Sequence, residues 1–143
     1  MSPDQTLLVK TTWNSVLPIA DTAASLFYQR LFEIAPSTRA LFKNNDLAEQ
    51  RRKLMQALSV VVSGLDHPDQ IVPTIQALGK RHASYGVTSA HYASVRAALL
   101  WTLEQGLAAA WTPEVEAAWS AAYNLLSSVM QEAATTPAHA QNT

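Results

Sequence analysis

Residues 77–87 read Ala77-Leu78-Gly79-Lys80-Arg81-His82-Ala83-Ser84-Tyr85-Gly86-Val87, and the reading of the whole chain turns on His82. Of the four histidines it is the one set in an apolar helical stretch. His67 precedes Pro68, His139 lies near the end, and His91, beside Tyr92 at a helix start, reads as facing solvent. Leu78 and Ile75 stand one and two turns before His82, so the three share a helix face, and Gly86 ends the helix by accepting a left-handed conformation. An imidazole in such a wall has two uses. It can be a core residue with both nitrogens satisfied. It can also bind a metal through one nitrogen while the other is held by a hydrogen bond that fixes the tautomer. The carbonyl of Leu78 is placed to make that bond. Helical spacing leaves both uses open.

Outward from this segment the chain reads as helix throughout, an all-α fold. Ser2-Pro3-Asp4-Gln5 is a cap, a first-turn proline and a capping-box partner, and Leu8, Val9, Thr12, Trp13 and Val16 follow at helical spacing as far as Pro18. A second helix begins near Asp21, carries Ala24, Phe27, Tyr28, Leu31 and Phe32, and stops at Pro36; a short turn leads to Phe42 and a polar loop from Lys43 to Asp46. Asp46-Leu47-Ala48-Glu49 opens a third helix with Gln50, Leu54, Leu58, Val61, Val62 and Leu65 on one broad face. Its Val60-Val61-Val62 run suits a strand by propensity, yet its flanks are helical. Gly64 to Pro68 is a connector before the shorter helix that holds His82. Thr88 or Ser89 caps a helix running to Gly106, and Thr112-Pro113-Glu114 starts the last one. Residues 1–134 read as a single domain, and residues 135–143 as a disordered tail.

Composition narrows the function. A chain of 143 residues fills one core, and with 48% hydrophobic and 15% charged residues it has the make-up of a folded domain. The net charge of -1 and the lack of a dense basic stripe argue against a nucleic-acid partner. Cysteine is absent, which removes disulfides, thiolate ligands and cysteine catalysis. The start of the chain lacks the pattern of a secretory signal, and the apolar tracts are far shorter than a bilayer span, so a cytoplasmic protein without stable membrane insertion is expected. No zinc-protease, calcium-loop, phosphate-loop or nucleophile-elbow motif occurs.

Two readings of His82 stay open: a satisfied core histidine, or an imidazole that binds a flat metal cofactor such as haem. Tyr28 and Gln50 are polar groups at the edges of apolar faces. Buried, each needs a partner, and both could address a polarised dioxygen; their alternatives are a backbone carbonyl and water. Phe42 is either a core anchor or a ring packed on the cofactor. Lys53 and Arg81 could neutralise carboxylates at a pocket rim, or simply be solvated cations. Tyr92 bonds a buried group or lies at the surface, and the four tryptophans read as packing or surface residues.

In this setting the chain resembles the globin family. It is most similar to bacterial single-domain globins related to the haem domain of flavohaemoglobins, and to their thermophile-type members. The likeness spans about Asp4 to Met130 and rests on Leu26-Phe27-Tyr28-Gln29-Arg30-Leu31-Phe32, Pro36, Leu41-Phe42, Gln50-Arg51-Arg52-Lys53-Leu54-Met55, Leu78-Gly79-Lys80-Arg81-His82, Tyr85-Gly86-Val87, His91-Tyr92, Ala118-Trp119 and Tyr123. The resemblance implies a three-over-three helical sandwich around haem b. It implies His82 as the proximal iron ligand, Phe42 packed on the porphyrin, Tyr28 and Gln50 as the distal hydrogen-bonding pair and Leu54 as an apolar wall. It implies Tyr92 as a support of the proximal side, with Lys53, Leu78, Arg81, Tyr85 and Val87 among the cofactor contacts. One feature departs from the family. The flavohaemoglobin pattern has a glutamate late in the last helix, where this chain has Ala134; Glu132 lies two residues away, about 200° around the helix. That weakens the expectation of a strongly electron-pushing, peroxidase-like proximal side.

The expected function is reversible binding of dioxygen, for transport or storage, with carbon monoxide and nitric oxide as further ligands. The enzymatic alternative is nitric oxide dioxygenation, which needs an external reductase because the chain ends without flavin and nicotinamide domains. A haem-free helical interaction domain is the rival from another class. The protein is expected to be a monomer or a weak dimer.

Overall fold

Ser2 opens the first helix, α1 (Pro3–Val16), with both arms of a capping box: its hydroxyl accepts from the Gln5 N–H at 3.1 Å, and the Gln5 side chain accepts from the Ser2 N–H at 3.1 Å. The structure is a computed structural model that describes residues 1–42 and 46–135. Pro18 lacks the N–H of an α-helical bond, and here the chain tightens into a 3₁₀ turn over Leu17–Ile19 before α2 (Ala20–Ile34). Ala35 leaves the helical region ahead of Pro36, as a residue before proline prefers, and Pro36–Phe42 winds as 3₁₀ helix. Asp46 caps α3 (Leu47–Ser63) by accepting from the Ala48 N–H at 2.9 Å. The Val60-Val61-Val62 run is helical because Val61 and Val62 enter the core while Val60 stays at the surface; burial of an amphipathic face outweighs β propensity.

Two boundaries differ from the sequence reading. The helix that carries His82, α4 (Pro68–Ser84), is as long as α3 at 17 residues, because it begins at Pro68 and runs on through Pro73. α5 (Ser89–Leu107) passes Gly106, and Ala108 takes the positive φ of 49° that ends it. Gly106 serves packing instead: an added Cβ would lie 3.3 Å from Ile19 Cδ1. α6 (Pro113–Thr135) starts where Thr112 accepts from the Val115 N–H at 3.2 Å. Of the expected tail, Thr135 closes α6; residues 136–143, like 43–45 of the polar loop, lie outside the described residues.

Among the described residues all regular structure is helical, and α1, α3 and α4 stack on α2, α5 and α6 in a three-over-three sandwich. The main core joins Val9, Trp13 and Val16 of α1 to Phe27 and Leu31 of α2, Leu103 of α5 and Trp119 of α6. The Trp13 and Trp119 rings sit 6.0 Å apart. Their polar edges are satisfied: Trp119 Nε1–H donates to the Thr12 hydroxyl at 2.8 Å, and Trp13 Nε1–H donates to Ser59 Oγ at 3.2 Å. Trp101 and Trp111 are half-buried, with the Arg30 guanidinium 5.0 Å from the Trp101 ring centre. A second, smaller cluster gathers Val61, Ile75, Tyr92 and Met130. Gly79 lets α4 and α6 touch there, since a Cβ at this position would lie 2.6 Å from Met130 Cα. Among the described residues no helix is long and apolar enough to cross a membrane.

Candidate functional site

His82 lies in the last turn of α4, half-buried, and its Nδ1 is 2.7 Å from the Leu78 carbonyl. That carbonyl accepts only if Nδ1 carries the proton, so the bond selects the tautomer and leaves Nε2 as the nitrogen free to bind a metal. Leu78 and Val87 pack against the second cluster, which includes Tyr92. Tyr92 is buried, and its hydroxyl finds no hydrogen-bond partner among the described residues. Burial alone raises its pKa. Its carbonyl accepts from the Tyr123 hydroxyl at 2.8 Å, which ties α6 to the first turn of α5. Burial, with the nearby Tyr92 adding to it, pushes Tyr123 far above the usual tyrosine range, and Arg96 opposes the shift.

A second group comes from α2, α3 and the 3₁₀ segment between them. Tyr28 is buried, with its ring 5.0 Å from Phe27 and 5.4 Å from Phe42 in edge-on contacts. Phe32 completes the aromatic set at 5.9 Å from Phe42, with the Arg39 guanidinium 5.1 Å from its ring centre. Desolvation raises the Tyr28 pKa, and the nearby Gln50 side chain pulls it partly back. Tyr28 therefore stays protonated at neutral pH and keeps a donor. Leu54 packs partly buried against the main core from the same face of α3 as Gln50.

The structure thus joins Tyr28, Phe42 and Gln50 in one place, and Leu78, His82, Val87 and Tyr92 along the α4–α5 corner. It leaves Lys53 and Arg81 exposed, and Tyr85 is 67% exposed. At the end of α6, Glu132 is exposed, Ala133 buried and Ala134 half-buried. His91, read from the sequence as solvent-facing, is half-buried, and its ring accepts from the Thr88 N–H at 2.9 Å. Sequence reasoning gave Tyr123 no role of its own. Its signal was there: Tyr123 stands one turn after the buried Trp119, on the same face.

The described residues thus form an all-helical sandwich with a tautomer-fixed histidine on α4 and with Tyr28 and Gln50 brought near each other from α2 and α3. A family model for globins matches residues 25–130. Over 132 residues the chain is 30% identical to a flavohemoprotein of Bordetella parapertussis, covering 91% of this chain and 33% of that protein. It is also 30% identical over 137 residues to the anaerobic nitrite reductase NSHB5 of Oryza sativa subsp. indica, covering 92% of this chain and 94% of that protein. The anaerobic nitrite reductase HBII of Casuarina glauca is likewise 30% identical, with 86% of each chain covered. The chain spans about a third of the length of the flavohemoproteins it matches. It belongs to the globin family. Membership implies a haem cofactor and a role with gaseous ligands.

The residues present fit that cofactor. Among the described residues no three His, Asp or Glu side chains gather to hold a bare metal ion. A porphyrin brings its own ring of nitrogens, so one histidine suffices. The fixed tautomer of His82 is a feature such a site uses, and the nearby buried Tyr92 hydroxyl has no partner among the described residues.

Proposed function

We propose that this chain is a haem b protein that binds dioxygen reversibly, with residues 1–134 as the working domain and His82 as the iron ligand. The observation that carries the reading is the buried Tyr28, set among Phe27 and Phe42 with the Gln50 side chain near it. Bound haem supplies an iron that takes up a diatomic gas. The chain's own residues do the rest. The Leu78 carbonyl holds the proton on His82 Nδ1, so Nε2 stays a neutral donor to the metal. Tyr28, kept protonated by burial, offers a hydrogen bond to a polarised ligand, and Gln50 orients the hydroxyl. Leu54 and Phe42 add apolar surface that limits water. Carbon monoxide and nitric oxide fit the same place.

The second reading is nitric oxide dioxygenation sustained by an external reductase. It draws support from the flavohemoproteins, which match over nearly all of this chain. The plant relatives named as nitrite reductases add nitrite as a substrate to assay. All three reactions use the same pocket and differ in how fast a partner re-reduces the metal.

Stopped-flow measurement of dioxygen release tests the proposal. Tyr28→Phe is expected to release dioxygen roughly ten- to a hundred-fold faster, the loss of one hydrogen bond of about 1–3 kcal/mol. An unchanged release rate in Tyr28→Phe and in Gln50→Leu would remove the pair from the account. Rapid nitrate formation from nitric oxide when an electron donor is supplied would favour the enzymatic reading.

A further inference from the structure

The corner after His82 is held mainly by backbone bonds, and one bond in it depends on an imidazole. The Gly86 N–H donates to the Ala83 carbonyl at 3.0 Å, and the Val87 N–H to the His82 carbonyl at 3.1 Å. The Thr88 N–H donates instead to His91 Nδ1 at 2.9 Å, with the Thr88 hydroxyl 3.3 Å from the same nitrogen. His91 is the third residue of α5, the position at which a capping box ordinarily places glutamate or glutamine. A carboxylate or an amide oxygen accepts there throughout the neutral range. An imidazole accepts only while Nδ1 is bare, and imidazoles ordinarily take up a proton near pH ~6.5.

We propose that His91 is a pH-sensitive cap: protonation of its ring releases the Thr88 N–H and loosens the corner that carries Val87 and Tyr92 behind His82.

The surroundings set the sign. The first turn of α5 packs through Tyr92 on Val61 of α3, Ile75 of α4 and Met130 of α6. The charged and titratable groups that stand in sequence around these packing residues are Lys80, Arg81 and His82 at the end of α4, Arg96 on α5 itself, and Tyr123 and Glu132 on α6. Arg96 bonds Ser120 Oγ at 3.1 Å, and Tyr123 bonds the Tyr92 carbonyl. Lys80 and Arg81 add positive charge, and of the six only Glu132 is acidic. α1 and α2 meet α5 further along, Arg30 of α2 at Trp101. No acidic residue occurs between Asp69 and Glu104, so most of α4 and the first turns of α5 offer no anion to an imidazolium. Charging the ring ends its acceptance from the Thr88 N–H and leaves the Thr88 hydroxyl, 3.3 Å from Nδ1, to accept in its place, so the N–H bond of the cap is present at higher pH and lost as pH falls.

Amide hydrogen exchange of the haem-loaded, carbon monoxide-bound protein tests this by NMR between about pH 5 and 8, with the His91 ring followed by its own signals. After correction for intrinsic exchange, protection of the Thr88 amide is expected to fall roughly five-fold as His91 protonates, the usual weight of one helix cap. In His91→Gln, whose side-chain oxygen accepts at either end of the range, protection is expected to stay level. Constant Thr88 protection through the His91 titration would overturn the proposal, as would the same pH dependence in His91→Gln. The wild-type series decides the matter alone if the variant does not fold. The readout is an amide in the corner, so failure of the cap is distinguishable from failure of the haem reading.

Discussion

The two core clusters of this molecule solve different problems. The main cluster buries Trp13, Trp119, Phe27 and Leu103 almost completely, and the polar edges of both tryptophans have partners. The smaller cluster beside His82 contains a buried tyrosine hydroxyl with no partner among the described residues, and Leu78, His82 and Val87 are half-buried. A buried unpartnered polar group costs roughly 1–3 kcal/mol. A fold tolerates that at a place where another constraint outweighs stability. The contrast teaches that the closely satisfied packing lies in the main core, while the α4–α5 corner holds a polar group that the described residues leave unpaired.

Three substitutions break or sharpen this contrast. Trp119→Ala strikes the stable side and is expected to cost about 3–5 kcal/mol in denaturant unfolding, through the lost ring and the Thr12 hydroxyl it leaves without its donor. The fraction that stays folded should keep its haem spectrum. Gly79→Ala strikes the seam between the sides. Its Cβ would run into the Met130 backbone, so about 1–3 kcal/mol of stability should be lost, with weaker haem retention in a competition with apomyoglobin. Tyr123→Phe should show the smallest effect, and only at high pH. The folded state holds the Tyr123 pKa above its unfolded value, so above about pH 10 the unfolded chain binds fewer protons and stability falls as pH rises. Removing the phenol should flatten this alkaline decline relative to wild type in thermal melts. An identical decline would assign it to Tyr28 and Tyr92, whose pKa values burial also raises.

Much of the fold was legible because its punctuation is local. Ser2, Asp46 and Thr112 act as caps, and Pro18 and Pro36 interrupt helices where the sequence places them. Gly106 misled because its freedom is used for contact with Ile19, a distant neighbour no periodicity reveals. The length of α4 was hidden because Gly64 to Pro68 reads as a connector, whereas Pro68 is already the first residue of the helix. At the site, the His82–Leu78 bond followed from a four-residue spacing. The Tyr28–Gln50 pairing joins two helices, and the sequence pointed to it by family likeness only. The unpartnered Tyr92 hydroxyl and the imidazole cap at His91 were illegible, because both depend on what the rest of the chain does or does not bring near.

The central claim is that His82 holds haem. Visible absorption spectra of the purified, haem-supplemented protein, taken ferric, ferrous and ferrous under oxygen beside His82→Ala, test it most directly. The account predicts stoichiometric haem and a stable oxygenated spectrum in the wild type, both lost in His82→Ala while far-ultraviolet circular dichroism still reports helix. Absence of stoichiometric haem in the wild type, or an oxygenated spectrum indifferent to His82, would contradict it and point to a helical domain that works without the cofactor.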